Sequence, residues 1–368
     1  TCTITLPSSA EAGDQIIFID YARTWGTNKI IIDSNGLNYQ GEDDTYIVEY
    51  ETDGQTVSIV YSDATVGWIP ESDVDVTEAP APPTTQKAIF GFGYTGSVVA
   101  MTNLISSSGV VATDVSAVGS VKRGLAAATY GFDKAIFGYG ENGPSYVSLT
   151  NLVSNSGVVA TDVTGVGTAR SGLAAAGYGD DKAIFAYGGN GYVSTSNLVS
   201  NAGVVGSDVS GVGTARGSSL AAATYGYDKA IFGYGYTGSN VSMTNLVSNS
   251  GVVAADVTGV GTARRELGAA KYGTDTVIFA YGHTSSPVSI SNLVSNSGVV
   301  ATDTSGVGTA RSGLSAAGYG GDKAIFAYGY PTTSLSNLVS NTGVVAADVT
   351  GVGTARYNGS MAGYSSSA

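Results

Sequence analysis

Few residues of this sequence could carry out catalysis, and those few lack the usual partners. The chain contains one histidine, His283, and one cysteine, Cys2. A single histidine argues against a Ser-His-Asp triad and against a histidine metal cluster, and the sequence contains no G-x-S-x-G nucleophile elbow. A single cysteine excludes an intrachain disulfide. We therefore predict that the protein is not an enzyme and has no catalytic residues.

Acidic and basic residues instead recur once in each copy of a long repeat. Paired carboxylates can hydrolyse glycosides, but a catalytic pair would break a repeat rather than follow it. We interpret the acidic residues as groups that tie turns or pair with the basic ones, and a repeated calcium site is the alternative. The aspartates are Asp114, Asp162, Asp208, Asp256, Asp303 and Asp348, and the arginines are Arg123, Arg170, Arg216, Arg264, Arg311 and Arg356.

Glycine triplets with G-x-G-x-x-G spacing occur three times. A dinucleotide site requires such a triplet to open a helix, whereas here each triplet ends a strand-like run inside a β repeat. We therefore predict no cofactor and no metal ligands. The triplets are Gly91-Gly93-Gly96, Gly138-Gly140-Gly143 and Gly233-Gly235-Gly238.

The repeat that carries these residues extends from Lys87 to the end of the sequence, with a period of 47 or 48 residues. A period of this size is typical of repeat arrays. Each copy contains four short runs that resemble strands: run a (LAAAGYG), run b (KAIFAYG), run c (SNLVSN) and run d (GVVATDVTGVG). Tight turns with glycine join runs a to b and c to d, as in antiparallel neighbours. Four such strands in about 47 residues predict one blade of a β-propeller.

The two ends of the repeat region predict a closed ring. The first copy begins at run b, and the sequence finishes with a lone run a around Met361, which brings the number of each run to six. We expect this last strand to pair with residues 87–93 and to complete the first blade, because closure hides sheet edges. The sequence therefore predicts an all-β fold with a six-bladed propeller at residues 87–368. The alanines of run a, its final tyrosine and the aromatic residue of run b are predicted to pack between blades.

Residues 1–76 have a different pattern, with five strand-like segments separated by turn signals such as Asn35-Gly36. The segments are 3–6, 15–20, 29–33, 45–50 and 56–61. We predict a small N-terminal β-module, whose modest core suggests that it relies on a partner surface. Residues 77–86 contain three prolines within four residues and are predicted to be a semi-rigid linker.

The overall composition narrows the classes of partner. The formal net charge is −13, which argues against binding to nucleic acid or to anionic membranes. The apolar runs are too short and too interrupted to span a bilayer. The chain begins with Thr and shows no signal-peptide pattern, which leaves the natural N-terminus open.

Residues 3–70 resemble a β-module that recurs in tail fibres and related adhesion proteins of tailed bacteriophages, many from marine cyanobacterial hosts. The matching features are the LP-x-AGD opening, the IDYA turn, the Asn35-Gly36 turn and the VYSD…GW ending. The repeats also resemble kelch repeats in their strand-glycine pairs, but they lack the paired Gly-Gly and the frequent Trp, so this likeness concerns the fold. The phage resemblance implies a virion protein, a homotrimer, with a head that faces the host.

The copies differ most in the loop between runs b and c and in the loop that leads from run d to the next run a. In an up-and-down meander these two loops lie on one face, so the variation collects on a single rim. Each b–c loop contributes an aromatic ring or the one histidine, which suits contact with saccharides or proteins. The alternative is neutral drift in exposed loops. The candidate ligand-binding residues are Tyr94, Tyr146, Tyr192, Tyr236, His283 and Tyr330.

Two classes of function remain from the sequence. One is a phage tail-fibre or receptor-binding protein whose propeller attaches to a glycan or protein of the host surface. The other is a capsid or tail decoration protein without a ligand of its own. Both place the protein on the exterior of a virion, in contact with other virion proteins, and neither involves nucleic acid or membrane insertion.

Overall fold

The computed structural model describes residues 1–75, 85–116, 118–189, 191–217 and 220–367. Within these ranges the chain consists of strands, turns and loops, with no helix, and its many small sheets are almost entirely antiparallel, which confirms the all-β prediction. The chain divides into two compact units, Thr1–Ala81 and Pro82–Ala368. This boundary falls inside the predicted linker, most of which lies outside the described residues.

The described part of the first unit, residues 1–75, contains six strands in two three-stranded sheets. They are β1 (Cys2–Thr5), β2 (Gln15–Ile19), β3 (Ile30–Asp33), β4 (Val48–Tyr50), β5 (Gln55–Tyr61) and β6 (Trp68–Asp75). In one sheet, β3 pairs parallel with β1 and antiparallel with β4; in the other, β5 pairs antiparallel with both β2 and β6. The five predicted strands are confirmed.

The sixth strand, β6, was not among the predicted segments, and Pro70 lies within it. Proline cannot donate to a strand ladder and is confined to edges and bulges. Here β6 lies at the edge of its sheet, and its register shifts between Ser58 and Ile59, beside Pro70. The bulge accommodates the proline and lets the strand continue.

The core of the first unit explains why Gly67 and Trp68 follow one another near the end of the N-terminal module. Trp68 is buried and packs edge-on against Tyr61, with ring centroids 5.4 Å apart. Gly67 has φ +74, and a Cβ there would lie 1.7 Å from the carbonyl oxygen of Asn38. Only glycine fits this position, which sets the entry of the tryptophan into the core.

The second unit contains six sheets, and in each the run b strand lies between the run a and run c strands, antiparallel to both. The run a strands are β10 (Ala126–Tyr130), β13 (Ala174–Tyr178), β16 (Ala221–Tyr225), β19 (Gly268–Tyr272), β22 (Ser315–Tyr319) and β25 (Ser360–Tyr364). The run b strands are β7 (Lys87–Tyr94), β11 (Lys134–Gly138), β14 (Lys182–Ala186), β17 (Lys229–Gly233), β20 (Thr276–Ala280) and β23 (Lys323–Gly329). The run c strands are β8 (Val98–Ile105), β12 (Thr150–Val153), β15 (Ser196–Val199), β18 (Thr244–Val247), β21 (Ser291–Val294) and β24 (Thr333–Val339).

The C-terminal strand completes the first sheet, as predicted. β25 pairs antiparallel with β7, with Ser360 opposite Gly91 and Tyr364 opposite Lys87. The run a strands also contact one another in a cyclic order: β25, β10, β13, β16, β19, β22 and back to β25. Their alanines are mostly buried where adjacent sheets meet, which confirms the interpretation that small side chains allow close approach.

Run d does not form the continuous fourth strand that we predicted. Only the first copy has a short strand there, β9 (Val115–Ser116). The other copies attach run d to run c by isolated bridges, for example Val153 with Val159 and Thr150 with Val163. Between these bridges run d is one residue longer than run c, which interrupts the ladder. The side chain of Asn151 fills the gap, because its Nδ2 donates to the carbonyl oxygen of Ala160 at 3.1 Å.

The final tyrosine of each run a packs against the turn between runs c and d of a neighbouring sheet. At one such contact, a Cβ on Gly203 would lie 2.9 Å from the ring of Tyr130, and Gly203 has φ +79. Both the close approach and the left-handed backbone require glycine. The turn glycine and the tyrosine therefore fix the spacing of neighbouring sheets, in agreement with the predicted packing role of this tyrosine.

The first described residues of the second unit, Thr85 and Gln86, lie against its a–b turns. The amide of Gly320 donates to the carbonyl oxygen of Gln86 at 2.9 Å, and the amide of Gln86 donates to the carbonyl oxygen of Ser365 at 2.7 Å. The last two residues of the predicted linker are thus part of this unit, because their backbone groups find partners in it.

Candidate functional site

The loops of the second unit lie on two faces, as the predicted meander requires. On one face, a–b turns meet c–d turns: Asn155 Nδ2 donates to Asp133 Oδ2 at 2.9 Å. On the other face, b–c loops meet d–a loops through β-bridges, such as Tyr94 with Tyr357 and Arg123 with Glu141. We call this second face the rim. The variable loops therefore do lie together, and backbone pairing holds them in place.

The six candidate residues all belong to the rim, but they differ in exposure. Tyr330 is 50% exposed and Tyr146 is 39% exposed. The other four, Tyr94, Tyr192, Tyr236 and His283, are half-buried. Two rings can therefore present a broad face to a partner, whereas the other four present only part of theirs.

Three tyrosines form a cluster at the junction of the last and first copies. The ring of Tyr357 lies 5.5 Å from that of Tyr94 and 5.5 Å from that of Tyr330, edge-on in both cases. The guanidinium of Arg123 lies over the Tyr94 ring, 4.5 Å from its centroid. Sequence analysis missed Tyr357, although it directly follows Arg356 in a d–a loop. The cluster combines aromatic area with one partly exposed cation.

A second group lies farther round the rim. Tyr192 and Tyr236 pack edge-on at 6.0 Å, and Arg265 lies over Tyr236 at 4.9 Å. Asn240 Nδ2 donates to the carbonyl oxygen of His283 at 3.2 Å. These contacts hold the rings against one another, so this part of the rim offers a rigid surface of ring edges, a guanidinium and a histidine.

A buried arginine in most copies supports the rim from below. Arg170 is 1% exposed, and its guanidinium lies 4.4 Å from the centroid of the Tyr139 ring. Its Nε donates to the carbonyl oxygen of Tyr187 at 2.9 Å, and a terminal nitrogen donates to Asn197 Oδ1 at 2.7 Å. A buried charge is tolerated when its donors are satisfied in this way. The arginine thus joins two adjacent sheets, and the run b tyrosine packs between sheets as predicted.

The repeated aspartate ties each copy to its neighbour. Asp256 Oδ2 accepts hydrogen bonds from the hydroxyl of Thr214 at 2.6 Å and from its amide at 3.0 Å, while Oδ1 accepts one from Asn245 at 2.9 Å. Partial burial acts to raise the pKa of Asp256, but these bonds and the charge of Arg216 outweigh it, so the pKa is lowered. Arg216 lies 3.7 Å away. The aspartate therefore both ties a turn and faces the arginine, as predicted, and both oxygens have protein partners where the calcium alternative would place an ion.

The first copy departs from the predicted arginine column. Arg123 is not the buried cation; it lies at the rim and pairs with Glu141. Lys122 takes the buried position instead, where its Nζ donates to Asn151 Oδ1 and lies 4.9 Å from the centroid of the Phe92 ring. Burial lowers the pKa of Lys122 to about 8, against a smaller opposing effect of Asp162. The order Gly-Ser/Thr-x-Lys/Arg, which Lys122 shares with the later copies, is the signal that could have identified it.

Comparisons with known proteins add no family to this description. No protein-family model matches the chain, and no curated protein sequence is significantly similar to it. Among the residues that the structure describes, no helix could cross a membrane, and no three histidine, cysteine or acidic side chains are grouped so that they could hold a metal ion. What the second unit can bind must therefore be inferred from the geometry of its two loop faces.

Proposed function

We propose that the second unit is a six-bladed β-propeller that serves as a rigid scaffold for the rim. The six sheets, the cyclic contacts of their run a strands and the pairing of β25 with β7 support this assignment. A propeller places the first strand of each blade beside a central axis and leaves only short, protected edges. The bulged run d is then the outer strand of each blade, where a broken ladder faces solvent.

We further propose that the protein is non-enzymatic and acts as a tail-fibre or receptor-binding protein of a bacteriophage, which attaches through the rim to a glycan or protein of the host surface. One observation carries this proposal: the loops that differ between copies lie together on a face whose backbone is held by β-bridges. Recognition residues are commonly placed on loops that a rigid scaffold positions. The phage-like module at residues 3–70 supports the virion context.

Two features of the rim favour contact with saccharides. Tyr146 and Tyr330 expose enough ring to stack on a sugar face, and the cluster around Tyr357 adds the cation of Arg123. Each aromatic contact contributes about 0.5–1.5 kcal/mol, so one contact is weak. Several contacts on one rim, multiplied by several copies of the chain, would give useful avidity without a deep pocket.

The first unit supports assembly into a homotrimer. On β2, an edge strand, the side chains of Ile17 and Ile19 are exposed, and so is that of Tyr21 just beyond. Exposed apolar residues on an unpaired edge are a liability unless a partner covers them. We propose that β2 forms the contact between copies of the homotrimer that the resemblance to fibre proteins implies.

A decoration protein of the capsid or tail is the second candidate. The packing of Tyr94, Tyr192, Tyr236 and His283 favours it, because half-buried rings stabilise the rim and need no ligand. In that case the tyrosines are structural, and the exposed Tyr146 and Tyr330 reflect drift between copies. The two candidates differ in whether the exposed rings matter for adsorption.

Adsorption of the purified protein to host cells, or to their envelope polysaccharide, tests the proposal. We expect the double variant Tyr146→Ala with Tyr330→Ala to lose most adsorption, because these two rings are the most exposed of the six. The matched control is Val158→Ala with Val252→Ala, two exposed apolar residues on c–d turns of the opposite face. Circular dichroism should show both variants folded.

The control should adsorb like the unmodified protein. If both double variants adsorb normally, the decoration role is favoured and attachment through the rim is refuted. If the control loses adsorption and the rim variant does not, the attachment face is the opposite one.

A further inference from the structure

A pocket on the opposite face breaks the sixfold pattern of the repeats. It has a volume of about 160 Å³ and opens along the axis around which the run a strands are arranged. Its wall consists mainly of alanine and glycine from these strands, and Phe132, Asp180 and Tyr227 lie at its mouth on the a–b turns. The wall is therefore nearly uniform, whereas the mouth has one side of large residues and one of small ones.

Lys271 is the only charged residue at its position in the six run a strands; the other lysine of the lining, Lys323, is paired with Asp322 at 2.9 Å. The equivalent positions in the other five run a strands hold threonine or glycine: Thr129, Gly177, Thr224, Gly318 and Gly363. The two threonines donate to carbonyl oxygens of the neighbouring strands. The ammonium of Lys271 forms no hydrogen bond or ion pair with the residues that the structure describes; it lies 5.9 Å from the centroid of the Tyr227 ring, and the charge of Asp275 acts on it only at longer range. A partly buried cation without a hydrogen-bonding or ion-pair partner is costly unless a ligand supplies one.

The aromatic residues at the mouth are held in an unfavourable backbone conformation. Phe132 has φ 66 and Tyr227 has φ 70, in the left-handed region, whereas Gly321 occupies the same place in another copy with φ 82. Bulky residues rarely adopt this conformation, and such strain persists at sites of function. Phe132 follows β10 and Lys271 lies on β19, three places apart in the cyclic order, so they face each other across the pocket.

We propose that this axial pocket binds a carboxylate-bearing sugar, a uronic acid, as a single monosaccharide unit. Its carboxylate pairs with Lys271, its ring face packs against Phe132 and Tyr227, and its hydroxyls donate to the carboxylate of Asp180. A phosphate is a poorer fit, because the lining has no arginine and its second lysine, Lys323, is already paired with Asp322, and Asp180 would repel the second negative charge of a phosphate dianion. Burial lowers the pKa of Lys271, which a bound carboxylate would reverse.

This proposal is independent of host attachment through the rim, since it concerns a free small molecule on the opposite face. The test is calorimetric titration of the full chain with glucuronate, with glucose as the neutral control. We expect glucuronate to bind with a Kd in the millimolar range or tighter, and glucose to bind at least about tenfold more weakly.

Three variants separate binding from folding. Lys271→Thr installs the residue that two other copies carry and should weaken glucuronate binding at least about tenfold, while Lys182→Thr, an exposed lysine outside the pocket, should change nothing. Phe132→Gly should also weaken binding, yet its melting temperature should stay equal or rise, because glycine relieves the left-handed strain.

Absence of saturable glucuronate binding would overturn the proposal. Unchanged affinity in Lys271→Thr would also overturn it, as would equal affinity for glucose. Phosphate that displaced glucuronate at equal concentration would refute the assignment to a sugar acid. If Lys271→Thr loses both glucuronate binding and the native circular dichroism spectrum, its loss of binding reports unfolding. The decision then falls to Phe132→Gly: unchanged affinity in this variant would overturn the proposal, whereas weaker binding by a folded Phe132→Gly would support it.

Discussion

The buried lysine of the first copy gives a stability change that can be worked out from the structure. Lys122 is fully buried, and its pKa falls from the ordinary 10.5 to about 8 in the folded protein. Between these two pH values the unfolded chain binds more protons at this residue than the folded chain does. The free energy of unfolding must therefore rise as the pH rises from about 8 to 10.5. Below about pH 8 the lysine is charged in both states, so none of this gain in stability is present.

The magnitude follows from the shift. One pKa unit corresponds to about 1.4 kcal/mol, so the full window is worth up to about 3 kcal/mol. Lys122→Arg should remove this dependence, because arginine stays charged throughout and occupies the same position in the five later copies. The free energy of unfolding of the unmodified protein should thus rise steadily, relative to that of the variant, as the pH rises.

Equilibrium urea unfolding, followed by far-ultraviolet circular dichroism between about pH 7.5 and about 9.5, measures this difference. Both proteins share the first unit and all tyrosines, so their contributions to the pH dependence cancel. Lys182→Arg, in which an exposed lysine is changed, is the matched control and should follow the unmodified protein. Parallel curves for Lys122→Arg and the unmodified protein would refute the argument that burial shifts this lysine.

Three further predictions concern assembly. Deletion of residues 357–368 removes the strand that completes the first sheet, so we expect scanning calorimetry to show a melting temperature lower by more than about 5 °C; an unchanged value would contradict closure by this strand. Asp256→Ala removes hydrogen bonds between neighbouring copies and should lower the free energy of unfolding by about 2 kcal/mol in urea; a loss below about 0.5 kcal/mol would mean that the bonds contribute little. Ile17→Thr combined with Ile19→Thr should convert the proposed trimer to monomer in light scattering, and an unchanged molar mass would exclude β2 as the contact.

Local signals were sufficient to predict much of the fold. Run b has Ile-Phe at its centre and an aromatic residue before its final glycine in every copy, and the Asn-Ser-Gly turn at Gly157 fixes where run c ends. The uneven ends of the repeat region predicted the pairing of β25 with β7, because a lone run a at the C-terminus can complete only the copy that lacks one. These features depend on neighbouring residues and on counting, both of which the sequence contains.

Other features depend on contacts that only the folded chain creates. Run d has the apolar pattern of a strand, but its extra residue lets Asn151 replace part of the ladder. Arg123 looked like the first member of the arginine column, yet the side chain one position earlier reaches the buried site. The predicted segments stopped before β6, which contains Pro70 and continues past it through a bulge.

The candidate site was predicted in position more than in detail. The meander placed the variable loops on one face, and the structure has them there. Which rings remain exposed could not be read from the sequence, since Tyr94 is covered by Tyr357, 263 positions later in the chain. Lys271 was visible as a departure from threonine or glycine, but its isolation inside an axial pocket follows only from the cyclic packing of the run a strands.

The central claim, host attachment as part of a phage virion, is tested most directly by locating the protein in phage particles. Electron cryomicroscopy of phage particles, with an antibody fragment bound to the rim as a marker, would show where the second unit lies. Host attachment predicts density at the free end of tail fibres, with the rim facing away from the particle. Density spread over the capsid or along the tail, with the rim against other virion proteins, would contradict it.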